Sequence, residues 1–137
     1  MGNTFHLHIV TPEKDFYSGE VESVVLTTVD GEMGILPGHN SVAVALASGS
    51  LHIVTDEGRR SAAVIGGFAR VGPQKTVVFA DTAEWPEDIE EARALEAKRR
   101  AEERMQARQS EIEYIRSRVA LERALARLTV KHEKDRV

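Results

Sequence analysis

At 137 residues, with no cysteine and a formal charge of −4, the chain has room for one domain or for one small domain with an appendage. The missing cysteines exclude disulfides, thiolate chemistry and cysteine-held metal, and the acidic balance argues against a nucleic-acid partner. No stretch approaches the roughly eighteen apolar residues that a spanning helix needs, and the opening "MGNTFHLHIV" lacks the layout of a secretory signal. Direct membrane insertion is therefore not expected, and any membrane association should run through a partner.

The first element in chain order is "FHLHIV" at 5–10, where Phe5, Leu7 and Ile9 point one way and His6 and His8 the other. Similar short runs recur at 21–29, 51–54, 61–71 and 76–80. Turn-prone pieces separate them: "TPEKD", "VDGE", "LPGHN", "ASGS", "TDEGRR" and "VGPQK". Short strands at this spacing predict an antiparallel β-sandwich or flattened barrel. The segment "EWPEDI" at 84–89 ends this part, and domains are drawn at 1–86 and 87–137.

All ten glycines fall at or before Gly72, and Pro86 is the last proline, so 87–137 carries neither breaker. Of the charged residues, 15 lie in 1–86 and 25 in the shorter remainder. Pro86, the acids after it and the Ala, Glu, Arg and Leu content predict helix. Ala94, Ala97, Ala101 and Met105 line one helical stripe. "QARQSE" at 106–111 predicts a break with Ser110 as the next N-cap. The second helix is expected to seat Ile112, Ile115, Val119, Ala120, Ala124 and Leu128 in an alanine-lined seam. The predicted class is α+β: a sandwich followed by a two-helix antiparallel hairpin whose thin seam should let it open.

The stretch "GEMGILPGHN" at 31–40 has neither a P-loop lysine nor the GxGxxG spacing, so it reads as a rigid, exposed turn that presents Glu32 and His39 for docking. His6 and His8 share a face at a spacing that zinc could use, but a solvent-facing pair on an edge strand fits the residues better. No nucleophile or acid–base constellation stands out, so no catalytic residue is assigned. Arg123 and Arg127 lie at i, i+4, and Arg93 and Arg100 lie two turns apart. A folded hairpin could gather all four on a polyphosphate; the alternative is a solvated face of Glu–Arg pairs.

Taken together, "GEMGILPGHN", "GGFARV" at 66–71 and "ADTAEWPEDIEEARALEAKRRAEER" at 80–104 resemble the epsilon subunit of bacterial F-type ATP synthases. The likeness runs through the chain in order. It implies a sandwich of about ten strands and a non-catalytic regulatory subunit of the central rotor stalk, peripheral on the cytoplasmic face of the bacterial cell membrane. The implied partners are the gamma subunit, the polar loops of the c-ring and the alpha/beta catalytic head. The c-ring would meet Glu32 and His39, and the head would meet the extended hairpin through Arg116 and Arg118, with Arg123 and Arg127 serving both states.

Extension is implied to block ATP hydrolysis. No cofactor is required, and ATP is the implied regulatory ligand of the folded hairpin. The family's nucleotide motif (Ile or Leu, Asp, two residues, Arg, Ala) reads here as Ile89, Glu90, Glu91, Ala92, Arg93, Ala94, with Glu90 where the motif has Asp. Glu84, Arg100, Arg123 and Arg127 match its supporting positions. Trp85, beside Glu84, is expected to report hairpin folding. A free-standing nucleotide-sensing or adaptor module is the alternative reading.

Overall fold

The computed structural model describes residues 3–107 and 110–135. Strands β1 (Phe5–Val10), β2 (Asp15–Val21), β3 (Ser23–Thr28), β4 (Gly31–Ile35), β5 (Val42–Ala45), β6 (Gly49–Thr55), β7 (Gly58–Val71) and β8 (Lys75–Glu84) come first. A 3-10 turn at Pro86–Asp88 leads into helices α1 (Glu91–Ala107) and α2 (Glu111–Asp135). The hydrogen-bonded order is β2-β1-β8-β7-β6-β3-β4, with β5 pairing β7.

There are eight strands where about ten are expected, because β7 runs for 14 residues and serves two layers. Its first half pairs with β6, and Phe68 to Val71 pair with β5. The strand changes layer at Gly66 and Gly67, whose φ angles are 67° and 102°. A Cβ on Gly67 would stand 2.0 Å from the Phe79 carbonyl oxygen, so glycine is required there. The ladders are antiparallel except that of β1 with β8, which is parallel. These neighbouring strands are the first and last of the domain in sequence, so no hairpin constrains their direction.

Alternation in β1 is as expected: Phe5, Leu7 and Ile9 enter a core shared with Val24, Leu51 and Ile53. Three strands lie outside the expected runs, and one of them is informative. Half of "GEMGILPGHN" is β4, an edge strand bonded to β3 from Val24–Ile35 to Thr28–Gly31. Its two glycines hide the alternation on which strand reading depends.

The helix begins at Glu91, because Ile89 is extended (φ −90°, ψ 124°) and separates the 3-10 turn from α1. Ser110 caps α2 as expected: its Oγ accepts the Glu113 amide at 3.1 Å. The break expected at 106–111 includes residues 108 and 109, which lie outside the described residues. Ala94, Ala101, Ala124 and Leu128 are buried in the hairpin. Ile112, Ile115 and Val119 are not; they are 63%, 45% and 36% exposed. They lie on the same helical line as Ala126 and Val130, and Val130 packs on Ala63 of β7 and on Ile89. Only the later turns of α2 therefore have the sandwich beneath them.

Candidate functional site

Where β8 ends and the hairpin begins, the turn and both helices enclose a cavity of about 370 Å³. Its lining comprises Glu84, Asp88, Ile89, Glu90, Arg93, Ala94, Ala97 and Arg127. The extended backbone at Ile89 turns that side chain into a small core with Ala63 and Val130. The neighbouring acids Asp88 and Glu90 are left on the cavity wall. Small side chains at Ala94 and Ala97 keep the space open.

Arg127 Nε donates to Glu84 Oε1 at 2.6 Å, with both side chains about 30% exposed or less. This bond ties the second helix to the end of β8. The cavity thus has three carboxylates from the hinge and two guanidiniums from the helices. Hydrogen-bond acceptors face donors whose fork geometry suits phosphate.

Of the residues expected at a nucleotide site, the structure brings together Glu84, Ile89, Glu90, Arg93, Ala94 and Arg127. Arg100 and Arg123 do not line the cavity. Arg100 instead donates through Nε to Glu96 Oε1 at 3.2 Å, and Arg99 reaches both Glu96 and Glu103. Hydrogen bonds from Arg99 and then Arg100 hold the Glu96 carboxyl down to about 2. Arg93 and Arg100 stand about 10 Å apart along α1 by helical rise. Two arginines therefore form one level at the hinge, and two lie further along the hairpin. Asp88 was missed because an acid two positions after Pro86 reads as a helix-starting residue rather than a wall residue.

Trp85 belongs to the sandwich rather than to the hairpin. Its ring stacks on Phe16 at 4.3 Å, meets Tyr17 edge-on, and carries the Arg60 guanidinium 3.7 Å above it. The residue before the pivot is thereby fixed, and its fluorescence reports chiefly on the body.

Glu32 is exposed on β4, next to the β3–β4 turn, whereas His39 is half-buried in the loop that leaves the strand's other end. That loop is braced by Gly38 N–H to Pro73 O at 2.9 Å, and His39 Nδ1 lies 2.8 Å from Asn40 O. Arg116 and Arg118 are exposed on the early turns of α2, with Arg116 near Glu113 at 3.6 Å.

A second surface was not expected. Phe68 and Phe79 stack at 4.9 Å on the outside of β7 and β8, and are 49% and 37% exposed. Val42 and Val77 extend this apolar face, with Arg70 and Lys75 beside it. The sign was available: Phe68 falls between Gly67 and the core residue Ala69, in the outward phase of the strand.

Comparison with known proteins agrees with this architecture. Residues 4–86 match the ATP synthase, Delta/Epsilon chain, beta-sandwich domain, and residues 87–131 match the ATP synthase, Delta/Epsilon chain, long alpha-helix domain. An ATP synthase epsilon chain from Ruminiclostridium cellulolyticum is 47% identical over 92% of this chain and 94% of its own length. Another, from Caldanaerobacter subterraneus subsp. tengcongensis, is 42% identical over 95% of each. A chain in the cryo-EM structure of the Euglena gracilis mitochondrial ATP synthase OSCP/F1/c-ring assembly superposes with a TM-score of 0.83 and 25% identity. That match covers 93% of this chain and 80% of the other. A β-sandwich with a helical hairpin folded against it defines a two-part subunit architecture. The chain belongs to the ATP synthase delta/epsilon chain family.

Proposed function

We propose that this chain is the non-catalytic epsilon subunit of a bacterial F-type ATP synthase, and that its hairpin senses ATP when folded and restrains hydrolysis when extended. The observation that carries the ATP reading is the hinge cavity, where Arg93 and Arg127 come from different helices and meet Glu84, Asp88 and Glu90. That set exists only while α2 lies beside the end of β8. A nucleotide bound there stabilises the folded hairpin by mass action, by about 1.4 kcal/mol at ten times its dissociation constant.

The apolar Phe68–Phe79 face is the docking surface for the gamma subunit, since it is the large stacked aromatic patch that the sandwich leaves uncovered. Glu32, exposed on the β4 edge, is presented to the polar loops of the c-ring, with His39 beyond the other end of that strand. The exposed Arg116, Arg118 and Arg123 meet the alpha/beta head when the hairpin extends. Among the described residues no helix is long and apolar enough to cross a membrane. As a member of that complex, the chain is held on the cytoplasmic face of the cell membrane.

Calorimetric titration of the full chain with ATP, with and without Mg²⁺, tests the nucleotide reading. Micromolar binding that Arg93→Ala and Arg127→Ala each weaken at least tenfold is the expected result. Binding unaffected by both substitutions would sink it. Loss of gamma co-purification on Phe68→Asp tests the docking face separately.

A further inference from the structure

Three consecutive residues near the end of α2 reach three different parts of the molecule. Lys131 Nζ donates to the Pro86 carbonyl in the hinge turn at 3.1 Å. His132 Nε2 lies 2.8 Å from Glu91 Oε1 in the first turn of α1. Glu133 Oε2 faces His52 Nδ1 on β6 at 3.8 Å, and that same nitrogen is 2.8 Å from Ser61 Oγ on β7. Successive helical side chains point about 100° apart, so partners for all three enclose the helix on three sides. The first turns of α2 differ, with Ile112 and Ile115 exposed.

We propose that Lys131, His132 and Glu133 form a clasp, distinct from the hinge cavity, that sets the fraction of molecules whose hairpin lies on the sandwich. The inference rests on the reading that the hairpin undocks. Two observations carry it beyond a list of surface contacts. Glu133 Oε2 is buried and makes no hydrogen bond, so docking strips this carboxylate oxygen of water at a cost that only His52, facing it at 3.8 Å, can offset. Further, the clasp grips the hinge itself, the first turn of α1 and the sheet, which are the three things α2 must leave in order to extend.

The clasp also gives the cavity freedom to work. A phosphate that draws Arg127 away from Glu84 removes one tie between α2 and the body. The clasp, one turn further on, keeps the helix seated while that arginine changes partner. Nucleotide and clasp therefore add on the same equilibrium without sharing a residue.

The chain has no native cysteine, so spin labels at Asp56→Cys and Ile112→Cys can report the distance between the β6–β7 turn and the start of α2 in the full chain. Without nucleotide, the parent should give one dominant distance. Lys131→Ala with His132→Ala, which removes both clasp hydrogen bonds, should raise the ratio of undocked to docked hairpin about tenfold and add a second, longer distance. An unchanged distance distribution in that variant overturns the proposal. If the double variant fails to fold, His52→Ala, which removes the group facing Glu133 from the sheet side, must produce the longer distance. If it does not, the clasp is refuted. ATP titration of the same labelled proteins separates the two ideas: a clasp variant that opens while the parent binds no ATP supports the clasp and removes the nucleotide reading alone.

Discussion

Inside the sandwich, Leu7, Ile9, Val24 and Ile53 have no exposed surface, whereas the buried positions between the two helices include Ala94, Ala101, Ser117 and Ala124. Burying a branched or aromatic side chain contributes about 1.5–3 kcal/mol, and a methyl group far less. The sandwich is therefore held by non-directional apolar burial, and the hairpin by a small apolar contact of Val130 with Ala63 and Ile89 together with discrete polar ties: Arg127 to Glu84, Lys131 to Pro86 and, between the helices, His132 to Glu91. Apolar burial of this kind is lost only on unfolding, while polar ties can be exchanged one at a time for water or another ligand. Under the proposed function, a part that docks and a part that moves call for these two solutions.

The sharpest break in that comparison is Ile53→Ala. It should cost about 2–5 kcal/mol, from lost transfer energy plus an unfilled cavity, and denaturant unfolding followed by Trp85 fluorescence should show it. Trp85 stacks on Phe16 of the body, so the signal belongs to the sandwich. A loss below 1 kcal/mol would mean that the two layers close over the gap. Gly67→Ala comes next, at about 1–3 kcal/mol, because the new methyl group meets the Phe79 carbonyl at a backbone φ of 102°. Equal stability in the same unfolding assay would show that the layer change can be made elsewhere along β7.

These two residues also mark how far the sequence could be read. Alternation in "FHLHIV" and "LHIV" identified core strands because a half-buried strand has to repeat every second residue. β4 and the change of layer at Gly66–Gly67 stayed hidden, since glycine has no side chain to carry the pattern. For the hinge cavity, Glu84, Ile89, Glu90, Arg93, Ala94 and Arg127 were legible through family likeness. Spacing alone did not separate a ligand site from a solvated Glu–Arg face. Asp88 and the clasp residues were not legible, because their partners lie on other elements and only the docked geometry joins them. The misplaced seam has a similar cause: Ile112, Ile115 and Val119 have the right period, but nothing in a helical period says how far the sheet beneath extends.

A double-mutant cycle on Glu84 and Arg127 sharpens the comparison at the hairpin. Each single alanine variant should raise the undocked fraction only a few-fold, because the clasp still holds α2, and the coupling between them should be about 1 kcal/mol or less, as for a partly exposed pair. Label distances in the full chain provide the measurement, while the unfolding midpoint of the sandwich should stay within about 0.5 kcal/mol of the parent. A shift of both together would mean that the two parts are one cooperative unit.

The smallest effect expected is also the most specific. Glu96 is held down to about 2, from an ordinary 4.5, by its bonds to Arg99 and Arg100. Its folded-state pKa lies below the unfolded one, so its contribution to α1 is complete above pH of about 4.5 and is lost as the pH falls through about 2. Glu96→Gln should remove that acid dependence from the helical circular dichroism signal and leave the signal at neutral pH nearly unchanged. The same substitution frees Arg100, which is now held by Glu96 and does not line the cavity. If Arg100 joins the ligand once released, ATP affinity should rise roughly two- to fivefold, because the nucleotide no longer competes with a carboxylate for that guanidinium. Unchanged affinity would confine the nucleotide to the level of Arg93 and Arg127, leaving Arg100 as part of the solvated face of α1.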